Sequence, residues 1–306
     1  MLQLQNINFC YQEKKIIENL NFSLEKSKHL AIIGESGCGK STLLKLIYGL
    51  YDLNEGHIFW NDIEVLGPKY NLVPGMPFIK YLAQDFDLMP FITVAENVGK
   101  YLSNFFPKAK QERIEELLAL VEMTEYANVK AKLLSGGQMQ RVALARVLAL
   151  EPEILLLDEP FSHIDNFRKN SLRRNLFAYL KKQNITCIVA THDSIDVLAF
   201  ADEVLIVRHG AVIESGSPKV IYSHPKNKYI ASLFGDVNEF VFEGKLNLIY
   251  PHQFKVVEAS DLKVRLLNSY FRGSHYLMEA EFENQMVFFE SEHQIPIGSL
   301  ICLKIK

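Results

Sequence analysis

The sequence predicts an α/β fold: a parallel sheet with helices on both faces, an antiparallel β region ahead of it, a helical middle, and a small all-β domain at the end. Three observations carry this. Short apolar strands alternate with helices between residues 154 and 207, a glycine-rich turn joins a buried strand to a helix near residue 34, and the helical period disappears after Gly235.

The opening residues alternate apolar and polar positions (Leu2, Leu4, Ile7, Phe9). They turn through Glu13-Lys14-Lys15 and alternate again (Ile16, Leu20, Phe22, Leu24), the pattern of half-buried antiparallel strands. Leu30-Ala31-Ile32-Ile33 reads as a buried strand, Ser41 to Leu50 as an apolar helix, and His57-Ile58-Phe59-Trp60 as a further strand. In the middle, Gln111 to Met123 places Ile114, Leu117, Leu118 and Val121 on one helical face, with Glu112, Arg113, Glu115 and Glu116 on the other. A second helix is expected from Gly136 to Leu150. Next come strand Ile154–Asp158, helix Asn166–Lys182, strand Thr186–Ala190, helix Ser194–Phe200 and strand Glu203–Val207. From Asp236 to Lys306 short segments alternate: Tyr276, Met278, Ala280 and Phe282 share one face, and Ile301, Leu303 and Ile305 share another. Two domains are expected, 1–235 and 236–306.

Composition narrows the partners. With 48% hydrophobic and 23% charged residues in a chain of 306, disorder and a coiled coil are excluded. A net charge of −3 gives no reason to expect nucleic acid as a partner. No run of 18 uncharged apolar residues occurs, and Met1 to Gln5 lacks the basic start of a signal peptide. A cytoplasmic chain is expected, so another chain must supply any passage through a membrane. Cys10, Cys38, Cys187 and Cys302 lie far apart, which suits reduced thiols and offers no zinc spacing.

Gly34-Glu35-Ser36-Gly37-Cys38-Gly39-Lys40-Ser41-Thr42 fits G-x-x-x-x-G-K-[ST] between a buried strand and a helix. Phosphates need many donors at close range. Glycines let successive backbone N–H groups point inward, and the helix start adds positive partial charge. Lys40 is expected to reach the β- and γ-phosphates and Ser41 to bind Mg²⁺. The apolar strand Ile154–Leu157 ends in Asp158 and Glu159, which puts two acids at the carboxyl edge of the sheet. Asp158 is placed to bind Mg²⁺, and Glu159 to act as general base on an attacking water. Alone, two acids after a strand are often a solvated turn; with the cradle they predict a nucleoside triphosphatase.

Leu134-Ser135-Gly136-Gly137-Gln138, continuing as Met139-Gln140-Arg141, resembles the signature of ABC ATPases. Physically it is a serine N-cap, two glycines and a helix start, a second anion site in a chain that already has one. The resemblance implies a P-loop NTPase (RecA-like) core with antiparallel β and helical subdomains. It also implies ATP and Mg²⁺ as ligands, and two ATPase subunits paired head to tail so that each signature caps the other's ATP. On the family's pattern, Tyr11 matches the aromatic that stacks on adenine. Gln84 matches the glutamine that contacts Mg²⁺ and water and senses the membrane subunit. Asp165, in Ser162-His163-Ile164-Asp165, matches the acid of the dimer-interface loop, and His192 the switch histidine at the γ-phosphate. Pro90 to Asn97 also looks like the family's stretch after the glutamine. Three positions depart from the pattern: Met139 where glutamine is common, His163 where a small residue is common, and Gly67–Lys80, which lacks an arginine often found there.

The C-terminal segment resembles the OB/TOBE-like accessory domain of ATPases serving importers for sugars, polyamines, ferric iron or oxyanions. Phe234-Gly235-Asp236-Val237-Asn238 matches its hinge, and Ile249-Tyr250-Pro251-His252-Gln253-Phe254 its second portion, with Tyr250 in place of the usual arginine. The resemblance therefore implies an importer subunit, peripheral on the inner face of the membrane, working with permease subunits, a second copy of itself and a solute-binding protein. An exporter ATPase and a soluble, non-transport ABC ATPase are the alternatives. The tail speaks against the first, and the single cassette without coiled-coil insertions against the second.

Overall fold

Alternating burial makes β1 (Leu2–Tyr11) and β2 (Lys14–Leu24) antiparallel neighbours, with Leu2 opposite Leu24 and Leu4 opposite Phe22. Between them the chain reverses at Gln12, whose φ is 54°. The computed structural model describes residues 1–242 and 245–306. Strand β3 (His29–Ile33), entirely buried, leads into α1 (Lys40–Tyr48), which stops at Gly49 in the left-handed conformation. Strands β4 (Glu55–Trp60) and β5 (Ile63–Glu64) complete a four-stranded sheet of order β2-β1-β4-β5.

Strand β6 (Ile79–Leu82) follows the proline- and glycine-rich segment and pairs parallel with β7 (Ile154–Asp158), Leu82 opposite Leu157. Between them lie α2 (Val94–Val98), α3 (Pro107–Leu120) and α4 (Gly136–Leu148). A capping box starts α2: the Thr93 hydroxyl accepts from Glu96 N, and the Glu96 carboxylate accepts from Thr93 N. Proline at N1, where its missing N–H costs nothing, sets the start of α3 four residues ahead of the expected Gln111.

Helix α5 (Asn166–Lys182), β8 (Thr186–Ala190), α6 (Ser194–Phe200), β9 (Glu203–Arg208) and β10 (Ala211–Gly216) finish the first unit. The central sheet runs β10-β9-β3-β8-β7-β6; all its strands are parallel except β10, which pairs antiparallel with β9. Alternate residues of β7 feed two cores. Leu155 and Leu157 pack with α2–α5, whereas Ile154 and Leu156 pack with α1 and the antiparallel sheet. Each such leucine, removed from water on both sides of the sheet, contributes about 1.5–3 kcal/mol. The parallel arrangement brings the carboxyl ends of β3, β8, β7 and β6 to one edge, where the motif residues sit.

The chain divides into compact units 1–218 and 219–306. In the second, α7 (Pro218–Ser223) and α8 (Lys228–Ser232) precede a hairpin of β11 (Asn238–Phe242) and β12 (Lys245–Ile249). An antiparallel sheet of order β13-β17-β14-β15-β16 follows, from β13 (Phe254–Val257), β14 (Leu262–Phe271), β15 (Tyr276–Phe282), β16 (Gln285–Ser291) and β17 (Leu300–Ile305). Met278, Ala280, Phe282, Ile301 and Leu303 bury together as the alternation predicts. The unit starts ahead of the composition change at Asp236 because Tyr250 holds residues 219–235 to it. Its ring stacks on Tyr222 at 4.5 Å, and its hydroxyl donates to Ala231 O at 3.3 Å. The buried Asn238 side chain bonds Ile249 O and both backbone groups of Phe288, joining hairpin to sheet. Among the described residues, no helix is long and apolar enough to cross a membrane.

Candidate active site

The loop between β3 and α1 is shaped by what it excludes. A Cβ on Gly34 would stand 2.1 Å from Val207 O, so glycine is required there. Gly37 and Gly39 have φ of 79° and 109°, which side-chain-bearing residues adopt only under strain. Gly39 caps α1 without a side chain, so the first N–H groups of the helix are not consumed by a capping oxygen. Lys40 folds over the loop, donating to Gly34 O at 2.7 Å and Glu35 O at 3.0 Å. Cys38 is buried beneath it. Glu35, Ser36 and Thr42 lie where the motif places them; Thr42 also hydrogen-bonds Tyr11 from the end of β1. The Tyr11 ring, 38% exposed, meets Phe9 and Tyr51 edge-on, which fixes it beside α1.

At the end of β7, Asp158 is 3% exposed. Its Oδ1 accepts from Ser41 Oγ at 2.9 Å and its Oδ2 from Tyr81 OH at 3.1 Å. Burial raises its pKa above the ordinary carboxylate value, against the hydrogen bonds and the Lys45 and Lys40 charges. Burial, then the Asp158 charge, also pushes Tyr81 up, so this hydroxyl stays a donor.

Glu159 takes a left-handed conformation (φ 50°), which costs a non-glycine residue about 1–3 kcal/mol and persists only where neighbours impose it. Its Oε2 lies 2.8 Å from Nδ1 of His192, which follows β8. The two residues share one end of the sheet because Asp158 and Ala190 are paired in register. Gln84, exposed, follows β6 at the same edge. Asp165 caps α5 through its backbone and makes no side-chain cap bond.

The signature residues stand at the start of α4. Ser135 Oγ accepts from Gln138 N at 3.4 Å and Gln138 Oε1 accepts from Ser135 N at 2.9 Å, so the helix caps itself. A Cβ on Gly137 would lie 2.6 Å from His163 O; one on Gly136 would meet nothing within 4 Å. Among the described residues, none stands close enough to require glycine at position 136.

The family model for ABC transporter matches residues 17–162. The spermidine/putrescine import ATP-binding protein PotA of Pasteurella multocida is 36% identical over 303 residues, spanning 93% of this chain and 79% of that protein. The chain belongs to the ABC transporter ATP-binding proteins. The Fe(3+) ions import ATP-binding protein FbpC of Haemophilus influenzae is 34% identical over 238 residues, 77% of this chain and 68% of the relative. Among solved structures, the dimeric post-hydrolysis state of the ATP-binding cassette MJ0796 with ADP and Pi has a TM-score of 0.63 at 29% identity. It covers 71% of this chain and 99% of that one. Like the rest of this family, the chain is an ATP-binding ATPase of P-loop fold.

Three residues at this edge of the sheet are given no role by the motifs. Tyr81 holds Asp158. Arg173 of α5, 2% exposed, pairs with Asp193 and, at 2.6 Å, with Asp196, while lying over the Phe161 ring. Burial opposes ionisation of Asp193, yet Arg173, the Ile195 N–H and Lys169 hold it below its ordinary value. That network flanks His192. The third, Gln140, is a buried amide on α4 that touches the Glu159 backbone. Arg173 and Gln140 each share a helix face with apolar residues (Leu176 and Phe177; Ala143 and Leu144), and that is the signal by which sequence could have flagged them.

Proposed function

We propose that this chain is the ATP-hydrolysing subunit of an ABC importer, driving solute through a separate membrane permease. The observation that carries the chemistry is the adjacency at the end of β7: Asp158 on Ser41, and Glu159 on His192. In this reading Tyr11 stacks on adenine, and the backbone of Gly34–Thr42 with Lys40 holds the phosphates. Glu159 accepts the proton of a water whose oxygen attacks the γ-phosphorus. The bond from γ-phosphorus to the β,γ-bridging oxygen breaks, leaving ADP and phosphate. His192 contacts the γ-phosphate and keeps the Glu159 carboxylate turned toward it.

The residues fit a divalent cation. A buried carboxylate whose ionised form is disfavoured by burial, with a hydroxyl at 2.9 Å, is the donor set such an ion completes. Ser41, Asp158 and Gln84 would hold Mg²⁺. When bound, it neutralises charge on the β- and γ-phosphates.

Gly136, glycine without an internal reason, supports a head-to-tail pair in which Ser135, Gly136, Gly137, Gln138 and Asp165 face the ATP held by the second copy. The import direction rests on the relatives, named for polyamine and ferric-iron import. It extends to a TOBE-like reading of residues 236–306, a peripheral place on the inner membrane face and a solute-binding protein in the same system. Polyamine, ferric iron, sugar and oxyanion are the cargo classes considered. Gentle detergent extraction of the tagged chain from its native membranes tests this. Co-purification of a permease whose system includes a solute-binding protein is expected, and that protein's ligand then names the cargo. Co-purification of ribosomal proteins, or of no membrane protein, would overturn the transport reading.

A further inference from the structure

We propose that Gln140 is the positioning residue that fixes Glu159 for hydrolysis and joins it mechanically to the start of the signature helix. This rests on the reading of Glu159 as the base.

The Gln140 side chain, 2% exposed, leaves α4 toward the loop that follows β7. Its Nε2 donates to Glu159 O at 2.8 Å and approaches Ser162 Oγ at 3.4 Å, while its Oε1 accepts from His163 N at 3.1 Å. This orientation is the one the surroundings allow. Turned over, the amide would set oxygen against the Glu159 carbonyl and N–H against the His163 N–H.

Glu159 needs such support because its backbone is left-handed. Its N–H donates to Ala190 O at 2.9 Å, at the end of β8. Its carbonyl also accepts from Ser162 N at 3.2 Å and Ser162 Oγ at 3.0 Å, within its own loop. Of these bonds to the Glu159 carbonyl, the one from Gln140 comes from another element. The helix start and the loop are further locked by Gly137, which leaves room for His163 O where a Cβ would stand at 2.6 Å.

Packing alone does not call for this amide. Ala143 and Leu144, one turn on from Gln140 along α4, are buried and apolar, so methionine would fill the same space. What methionine could not do is hold three backbone and hydroxyl groups in register. A ligand that shifts the start of α4 therefore shifts the Glu159 carbonyl with it.

The test is Gln140→Met in the full chain, with ATP turnover, ATP affinity and melting temperature measured together. The expected result is a kcat lowered roughly 10- to 100-fold, the scale of a misplaced catalytic group. KM and ATP affinity should stay within about twofold of wild type, since the phosphate cradle is untouched. If Gln140 acts through Glu159, adding Gln140→Met to Glu159→Gln should lower the residual rate no further. Wild-type turnover in Gln140→Met, or losses that multiply in the double variant, would overturn the proposal and leave Glu159 as the base. Wild-type turnover in Glu159→Gln alone would overturn the base assignment, and this proposal with it. Should Gln140→Met not fold, Gln140→Glu decides: it keeps an acceptor for His163 N but loses the donor to Glu159 O. The same loss in kcat is expected, and an undiminished rate would contradict the proposal.

Discussion

In the proposed reading two helix starts of this chain meet phosphate, and they differ in what the chain supplies to each. The start of α1 is surrounded by its own fold. Gly34 is pressed against β9, Lys40 rests on the loop carbonyls, and Ser41 reaches the buried Asp158. The start of α4 is capped by Ser135 and Gln138, and beside Gly136 there is open space. One is a complete cradle within a single chain. At the other, a Cβ on Gly136 would meet none of the described residues within 4 Å, as a site shared between two copies would require. The glycines of the two motifs therefore differ: Gly34 has a steric, internal reason, and the proposed head-to-tail pair would give Gly136 one from outside.

Substitution can separate those reasons. Gly34→Ala should damage folding most, because its Cβ would stand 2.1 Å from the Val207 carbonyl and strand or loop must shift. A loss of about 3 kcal/mol, at the upper end of overpacking, is expected in chemical denaturation. Gly136→Ala should leave stability within about 0.5 kcal/mol of wild type, since its Cβ meets nothing. The same variant should lower ATP turnover by roughly tenfold or more if a second copy closes there. Equal stability losses in the two variants would erase the distinction between the helix starts.

A pH-dependent effect concerns the opposite end of β3. His29 is 1% exposed. Burial, with the Lys181 charge, lowers its pKa to about 4. The unfolded chain, whose histidine titrates near 6.5, then binds more protons than the folded one between about pH 4 and 6.5. This stability is fully present above about pH 6.5 and is lost as pH falls toward 4, about 3 kcal/mol in all. Urea melts of wild type and His29→Gln across that range should converge as the pH drops. A pH-independent difference between them would show that His29 does not titrate as described.

The sequence reading and the structure agree most closely where local pattern is sufficient. Strands β7 and β8 and helices α5 and α6 begin and end where predicted. The strands are fully buried, and the Asp193 side chain caps α6 by accepting from Ile195 N. Helix α1 ends at Tyr48 and not Leu50 because Gly49 turns left-handed. Strand β6 was hidden among prolines and glycines, since its pairing with β7 is a long-range fact no local period records. The same holds within the site. Glu159 and His192 stand out by motif, but their 2.8 Å contact depends on β7 and β8 being paired in register. Arg173 and Gln140 were legible only as polar residues in apolar faces. Their partners lie on other elements, so only the fold reveals them.

The most direct test of the account is Glu159→Gln, followed by phosphate release and by molecular mass in the presence and absence of ATP. Removing the base while leaving the cradle intact should lower turnover by at least about 100-fold, with ATP still bound and the chain accumulating as an ATP-dependent dimer. Phosphate release at the wild-type rate would contradict the assignment of Glu159, and a chain that stays monomeric with ATP bound would contradict the shared site at α4.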